Sequence, residues 1–126
     1  MQTLAVFASK DDFQKKLHVK IVEYLKENIN GTLSLTELCQ KFNYSNTFLC
    51  TKFKEQSGES IMYCFNRLKI EEACRLMDDS DLSLTDISVR LGFNNPYYFS
   101  RVFKRIKGIA PSEYRRSGSQ SGRKGK

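Results

Sequence analysis

The sequence predicts an all-α protein of about seven helices, arranged as two helix-turn-helix subdomains joined by a long linker helix. Three observations predict it. The chain repeats itself: Leu33-Ser34-Leu35-Thr36-Glu37-Leu38 returns as Leu82-Ser83-Leu84-Thr85-Asp86-Ile87. Each copy leads through an aromatic-rich stretch to a Phe-Lys pair (Phe53-Lys54 and Phe103-Lys104) and then to a glycine, Gly58 and Gly108. Finally, apolar residues recur at helical spacing, and nothing alternates as a strand would.

The elements follow in order. Residues 1–11 form an N-terminal extension, and the first subdomain covers 12–59. Its first helix, about Asp12–Asn28, turns Phe13, Leu17, Ile21, Val22, Leu25 and Ile29 to one face. Asp11 and Asp12 suit its N-terminal end, and Asn30-Gly31 stops it. The second helix, Leu35–Phe42, is capped by Ser34 with Glu37 at the capping-box position. The third runs from about Asn46 to Gln56, turns Leu49 and Phe53 inward and ends at Gly58. The linker, Ser60 to Asp78, carries Ile61, Cys64, Phe65, Leu68, Ala73, Leu76 and Met77 on its apolar face. The second subdomain, 79–116, repeats the plan. Ser83 caps Leu84–Leu91, Gly92 supplies the turn, and Asn95 caps a helix with Pro96 at its first position, where a missing N–H costs nothing. That helix runs to about Lys107, and Pro111–Arg116 makes a short last helix. Ser117–Lys126, rich in Ser, Gly and Lys, is expected to be a disordered basic tail. The copies align with a shift of 49 residues up to Ser45/Asn94 and of 50 afterwards.

Charge divides the chain. The net charge is +7, yet from Arg90 onward ten Lys/Arg face a single acid, Glu113, while residues 1–89 carry eleven bases and thirteen acids. The excess either solvates one surface or serves a polyanionic partner. Four cysteines at 39, 50, 64 and 74 form no CxxC pair, and the one histidine, His18, is remote from them, so no metal site or cofactor is expected. Cys39 and Cys74 fall on apolar faces and read as small buried hydrophobes in a reduced, cytoplasmic protein. No apolar run approaches a membrane span, and the start lacks the basic leader of a signal peptide. With one histidine, no phosphate loop and no nucleophile–base pair, no enzyme is expected.

A helix-turn-helix needs a small residue on its first helix, a turn residue tolerant of positive φ, and apolar anchors on its second helix. The small residues are Cys39 and Ser88, the turn residues Asn43 and Gly92, and the anchors Leu49/Phe53 and Phe99/Phe103. The second helix of each unit then has an outer face for a major groove. That face offers Asn46, Thr47, Cys50 and Thr51 in the first unit and Pro96, Tyr97, Ser100 and Arg101 in the second. Arg101 is the strongest base reader, because a guanidinium binds guanine O6 and N7 in bidentate fashion. Thr47 and Thr51 suit a thymine methyl or a phosphate. Asn46 and Asn95 have helix capping as a competing role, which suits Asn95 better, and Tyr98 reads as core. Lys52, Lys54, Lys104, Arg105 and Lys107 neutralise phosphates, which positions the protein without specifying sequence. A linker of about 18 residues at 1.5 Å each is roughly 27 Å long, near the roughly 34 Å between successive major grooves on one face of DNA.

The stretch Asp86-Ile87-Ser88-Val89-Arg90-Leu91-Gly92-Phe93, with Tyr98-Phe99-Ser100-Arg101-Val102-Phe103-Lys104 and Gly108-Ile109-Ala110-Pro111-Ser112-Glu113-Tyr114-Arg115, closely resembles the C-terminal signature of the AraC/XylS family of bacterial transcription regulators. Asn66-Arg67-Leu68-Lys69-Ile70-Glu71-Glu72-Ala73 also follows that family's pattern, and the resemblance covers about residues 17–116. It implies a seven-helix, two-lobed, homeodomain-like domain that binds promoter DNA sequence-specifically, usually for activation, with base contacts from the outward residues named above. The first unit departs from the pattern: Asn43 replaces a common glycine, and Tyr63 and Cys64 stand where the second unit has Glu113-Tyr114.

The expected function is therefore a sequence-specific regulator of transcription acting on double-stranded promoter DNA, with RNA polymerase as protein partner and no membrane. The chain reads as the output domain of a longer regulator, monomeric in isolation, whose intact form can dimerise through a further domain. The competing reading is a protein-interaction module using the near-neutral first lobe.

Overall fold

Short polar side chains decide where this chain starts its helices, and the computed structural model shows which ones do so. It describes residues 17–124, with side chains through Ser117; the N-terminal extension and residues 12–16 of the first predicted helix lie outside the described residues. Seven helices are described: α1 over residues 17–27, α2 Leu35–Phe42, α3 Asn46–Ser57, α4 Ile61–Asp79, α5 Leu84–Arg90, α6 Pro96–Lys107 and α7 Pro111–Lys124. Ser34, Ser45, Ser60 and Ser83 each accept a bond from a backbone N–H three residues on, at 3.0 to 3.2 Å. Asn95 Oδ1 accepts from both Tyr97 N and Tyr98 N, at 2.7 and 3.3 Å. Each such cap is worth about 1 kcal/mol.

The helices pack as two units. The first takes residues 17–28 and 33–65, the second 29–32 and 66–124, so α4 starts in one unit and continues in the other. In the first unit Leu17, Ile21 and Leu25 form the buried stripe of α1, and Leu38, Leu49, Phe53, Ile61, Cys64 and Phe65 complete the interior. The His18 ring lies 5.1 Å from the Phe53 ring, so this histidine is a half-buried neighbour of the core.

The second unit has the more aromatic interior. Ile70, Ala73, Cys74, Leu76 and Met77 of α4 join Ile87, Leu91, Phe93, Phe99, Val102 and Phe103 in one cluster. A run of rings threads it: Phe93–Phe99 at 5.2 Å, Phe99–Phe103 at 5.9 Å and Phe103–Tyr114 at 5.5 Å. Each pair contributes about 0.5–1.5 kcal/mol beyond its buried area. The Tyr114 hydroxyl is pushed up to about 12 by its hydrogen bond with Cys74 and by burial.

Lys69 is the unforeseen member of this unit. It is 3% exposed, and its ammonium donates to the carbonyls of Ile29 at 2.7 Å, Gly31 at 2.6 Å and Leu91. It also lies 5.4 Å from the Phe93 ring centre, a favourable cation–π distance. Burial brings its pKa down to about 8. Three carbonyls from distant segments thus converge on one cation at the turn of the second unit. Arg115 ties down the approach to the same unit by donating to Leu82 O at 2.6 Å and Ser80 O at 3.2 Å.

Four expectations are corrected. The last helix continues to Lys124, where a short helix ending at Arg116 and a disordered tail from Ser117 were predicted. Extending an established helix is far cheaper than nucleating one, and Tyr114 and Arg115 dock its start. Ser60 caps the linker helix and does not belong to it. Cys39 is half-buried, while Cys74 is buried as expected. Lastly, the caps Ser45 and Asn95 are equivalent. The 50-residue shift therefore begins there, and Asn94 is the extra residue of the second turn.

Candidate nucleic-acid interface

Each candidate recognition helix is aimed by its turn. Asn43 closes α2 in the left-handed region, with φ 61° and ψ 45°. Gly92 takes the same role after α5, with φ 81°. The two turns differ in their surroundings. A Cβ on Gly92 would stand 2.7 Å from the Gly31 carbonyl oxygen, which requires glycine there for space as well as for φ. Asparagine is among the few other residues that enter the left-handed region at modest cost. Ser88, at the small position of α5, is fully buried and donates its hydroxyl to Thr85 O at 2.9 Å.

The anchors hold the inner face of each second helix. Leu49 and Phe53 of α3 and Phe99, Val102 and Phe103 of α6 are buried. The remaining positions of α6 correspond to those of α3 with a shift of 50. Asn46, Thr47 and Thr51 are exposed and Cys50 is half-buried; Pro96, Tyr97 and Arg101 are exposed and Ser100 is half-buried. Each set of four predicted base-contact residues thus falls on the accessible side of one helix. Tyr97, at 80% exposure, is the most open large hydrophobic side chain of either helix. Tyr98 is 42% exposed and rests its ring 5.8 Å from Phe93, so it borders the core and is not enclosed by it.

Asn46 and Asn95 separate clearly. Asn95 is the cap of α6, whereas Ser45 caps α3 and leaves the Asn46 side chain outside that role. Instead the Cys50 thiol donates to Asn46 Oδ1 at 3.1 Å. Burial pushes the Cys50 pKa up, and the neighbouring Cys39 adds to the shift. The thiol is therefore protonated at neutral pH and acts as donor.

The two helices differ most in charge. Along α6, Arg101, Lys104, Arg105 and Lys107 meet no acid; along α3, Lys52 and Lys54 share the helix with Glu55. Lys104, Arg105, Lys107 and Lys54 are exposed. Lys52 is half-buried, pairs with Glu55 at 3.4 Å and stands where α6 has buried Val102. It therefore flanks the outer face and is not directed from it. No group of side chains suited to a metal ion occurs among the described residues, and no helix there is long and apolar enough to cross a membrane.

Two turns of matched geometry, each aiming an accessible second helix and one of those helices uniformly basic, define a helix-turn-helix domain of the nucleic-acid-binding class. A family model described as a helix-turn-helix domain matches residues 38–117. The chain is 36% identical over 92 residues to the MmsAB operon regulatory protein of Pseudomonas aeruginosa, covering 73% of this chain and 30% of that protein. It is 33% identical over 96 residues to the raffinose operon transcriptional regulatory protein RafR of Pediococcus pentosaceus, covering 76% and 35%. Among solved structures it is similar to the C-terminal domain of AraT, a response regulator from Geobacillus stearothermophilus, with TM-score 0.76 at 25% identity over 80% of this chain and 84% of that one. The DNA-binding domain of AdpA, solved with a target DNA, shares the fold with TM-score 0.76 at 21% identity over 82% and 94%. The chain belongs to the AraC/XylS family and forms its helix-turn-helix domain. It spans about a third of the length of the curated relatives it matches.

Proposed function

We propose that the chain binds double-stranded promoter DNA sequence-specifically, as the output domain of a longer transcription regulator that acts chiefly as an activator. The observation that carries this reading is the exposed Arg101 on a helix whose other charges are all basic and whose inner face is locked by Phe99, Val102 and Phe103. Each unit lays its second helix in a major groove, and the two units read two boxes on one duplex. Asn46, Thr47, Cys50 and Thr51 face one box; Pro96, Tyr97, Ser100 and Arg101 face the other. Lys54, Lys104, Arg105 and Lys107 neutralise phosphates, with a smaller share from Lys52 because Glu55 competes for it. RNA polymerase is the expected protein partner on the promoter, and the cytoplasm the expected place.

Selection of bound duplexes from a random pool tests the reading. It expects an asymmetric site of two boxes and affinity that falls steeply with salt. A chain that retards no duplex at low salt contradicts it.

A further inference from the structure

We propose that Asn46 reads an adenine in the first box, and that Cys50 is a positioning residue that orients its carboxamide for that base. The inference rests on the DNA-binding reading above and names the chemistry of one of its contacts. Ser45 caps α3, so the Asn46 side chain is exposed at the helix's first position and is not consumed by the backbone. The Cys50 thiol, one turn on, donates to Oδ1 at 3.1 Å. This bond takes one of the two Oδ1 lone pairs and leaves the other, together with the Nδ2 hydrogens, for an outside partner. Among the described residues Nδ2 donates to no protein acceptor. A carboxamide with one acceptor site and one donor site side by side matches adenine, which presents the N6 donor and the N7 acceptor in the major groove. It does not match guanine, whose two groove atoms there both accept.

The thiol favours one order of the amide ends. Rotating the carboxamide by half a turn would exchange the observed S–H···O bond for an N–H···S contact to a weakly accepting sulfur, so Cys50 biases the donor–acceptor order facing the groove. A pKa held above the ordinary thiol value keeps that proton in place. The neighbouring exposed positions agree with an A·T-rich box. Thr47 and Thr51 bring methyl groups suited to the thymine methyl, and no cation of α3 occupies the place that Arg101 holds on α6. Pro96 stands where α3 has Asn46, so the second unit has no such reader.

The test is competition binding on the duplex selected from a random pool, with every base pair of the first box changed in turn. The wild type is expected to prefer A·T at one position by about 5- to 150-fold, the range of a bidentate contact. Asn46→Ala should lose that preference at that position and keep the others. Cys50→Ala should narrow it by about two- to fivefold, the share of one weak hydrogen bond, while Cys50→Ser, which keeps a donor, should restore it. Circular dichroism of each variant checks that helix content is unchanged. An Asn46→Ala variant with wild-type preference at every position overturns the adenine contact. A Cys50→Ala variant indistinguishable from wild type, or a Cys50→Ser variant as relaxed as Cys50→Ala, overturns the positioning role. Arg101→Ala separates this inference from the reading beneath it. If Arg101→Ala relaxes a position in the second box while Asn46→Ala relaxes none, the adenine contact alone falls. A wild type that selects no duplex overturns both.

Discussion

The two units share one plan and differ in turn, charge and exposed face. The first closes its turn with Asn43 and presents a face of small, neutral side chains. The second closes it with Gly92 against the Gly31 carbonyl, presents Arg101, and gathers four cations on α6. Lys20 and Lys69 sharpen the contrast. They stand 49 residues apart, at matching places before the two units' repeats, yet Lys20 is exposed and Lys69 is buried among three carbonyls. Sequence similarity between repeats therefore preserves a scaffold while burial and charge diverge around it. Under the proposed function, the second unit holds the phosphate backbone and the first distinguishes bases on DNA already held.

The comparison is most easily broken at the turns. Gly92→Ala should cost about 3–4 kcal/mol, because it combines positive φ with a backbone clash. Asn43→Ala should cost only about 1 kcal/mol, the left-handed penalty alone. Urea unfolding measures both, and equal losses would mean that the turns are equivalent after all. Lys69→Met should cost about 3 kcal/mol in the same assay, since three carbonyls lose a buried donor. Lys20→Met should be near neutral.

On the recognition helices, Arg101→Ala should weaken specific binding by about 1–3 kcal/mol and relax one base pair, whereas Thr51→Ala at the equivalent position should cost less than about 1 kcal/mol. Fluorescence anisotropy with matched and mismatched duplexes reads both. The smallest difference is expected where the units agree. Ser45→Ala and Asn95→Ala should each lose about 1 kcal/mol of stability, because each removes one cap. A much larger loss at Asn95 would show that its second bond, to Tyr98 N, carries weight of its own.

What could be read from sequence was what is local. Asn95, Pro96 and Gly108 bracket α6, and its predicted limits match at both ends because cap, first-turn proline and left-handed stop all lie within the segment. Ser34, Asn43 and Gly58 did the same for α2 and the end of α3. The outward set of base-contact candidates was legible because helical periodicity separates it from Leu49, Phe53, Phe99 and Phe103. Lys69 was not legible. Its position in a periodic pattern marks only a polar residue, and its carbonyl partners lie 40, 38 and 22 residues away. The bond between Cys50 and Asn46 was equally hidden, since spacing of four residues permits a contact without naming its donor. The surroundings of Lys52 were hidden for the same reason: its charge was visible in sequence, but its half-burial and its pairing with Glu55 were not.

The division of labour is tested most directly by the salt dependence of DNA binding. The slope of log affinity against log salt changes by about 0.9 for each phosphate contact removed. Lys104→Ala, Arg105→Ala and Lys107→Ala together should lower it by about 2.7, while Lys52→Ala with Lys54→Ala should lower it by about 1, because Lys52 is tied to Glu55. A first-unit pair that lowers the slope as much as the second-unit triple would contradict the claim that the second unit anchors the complex.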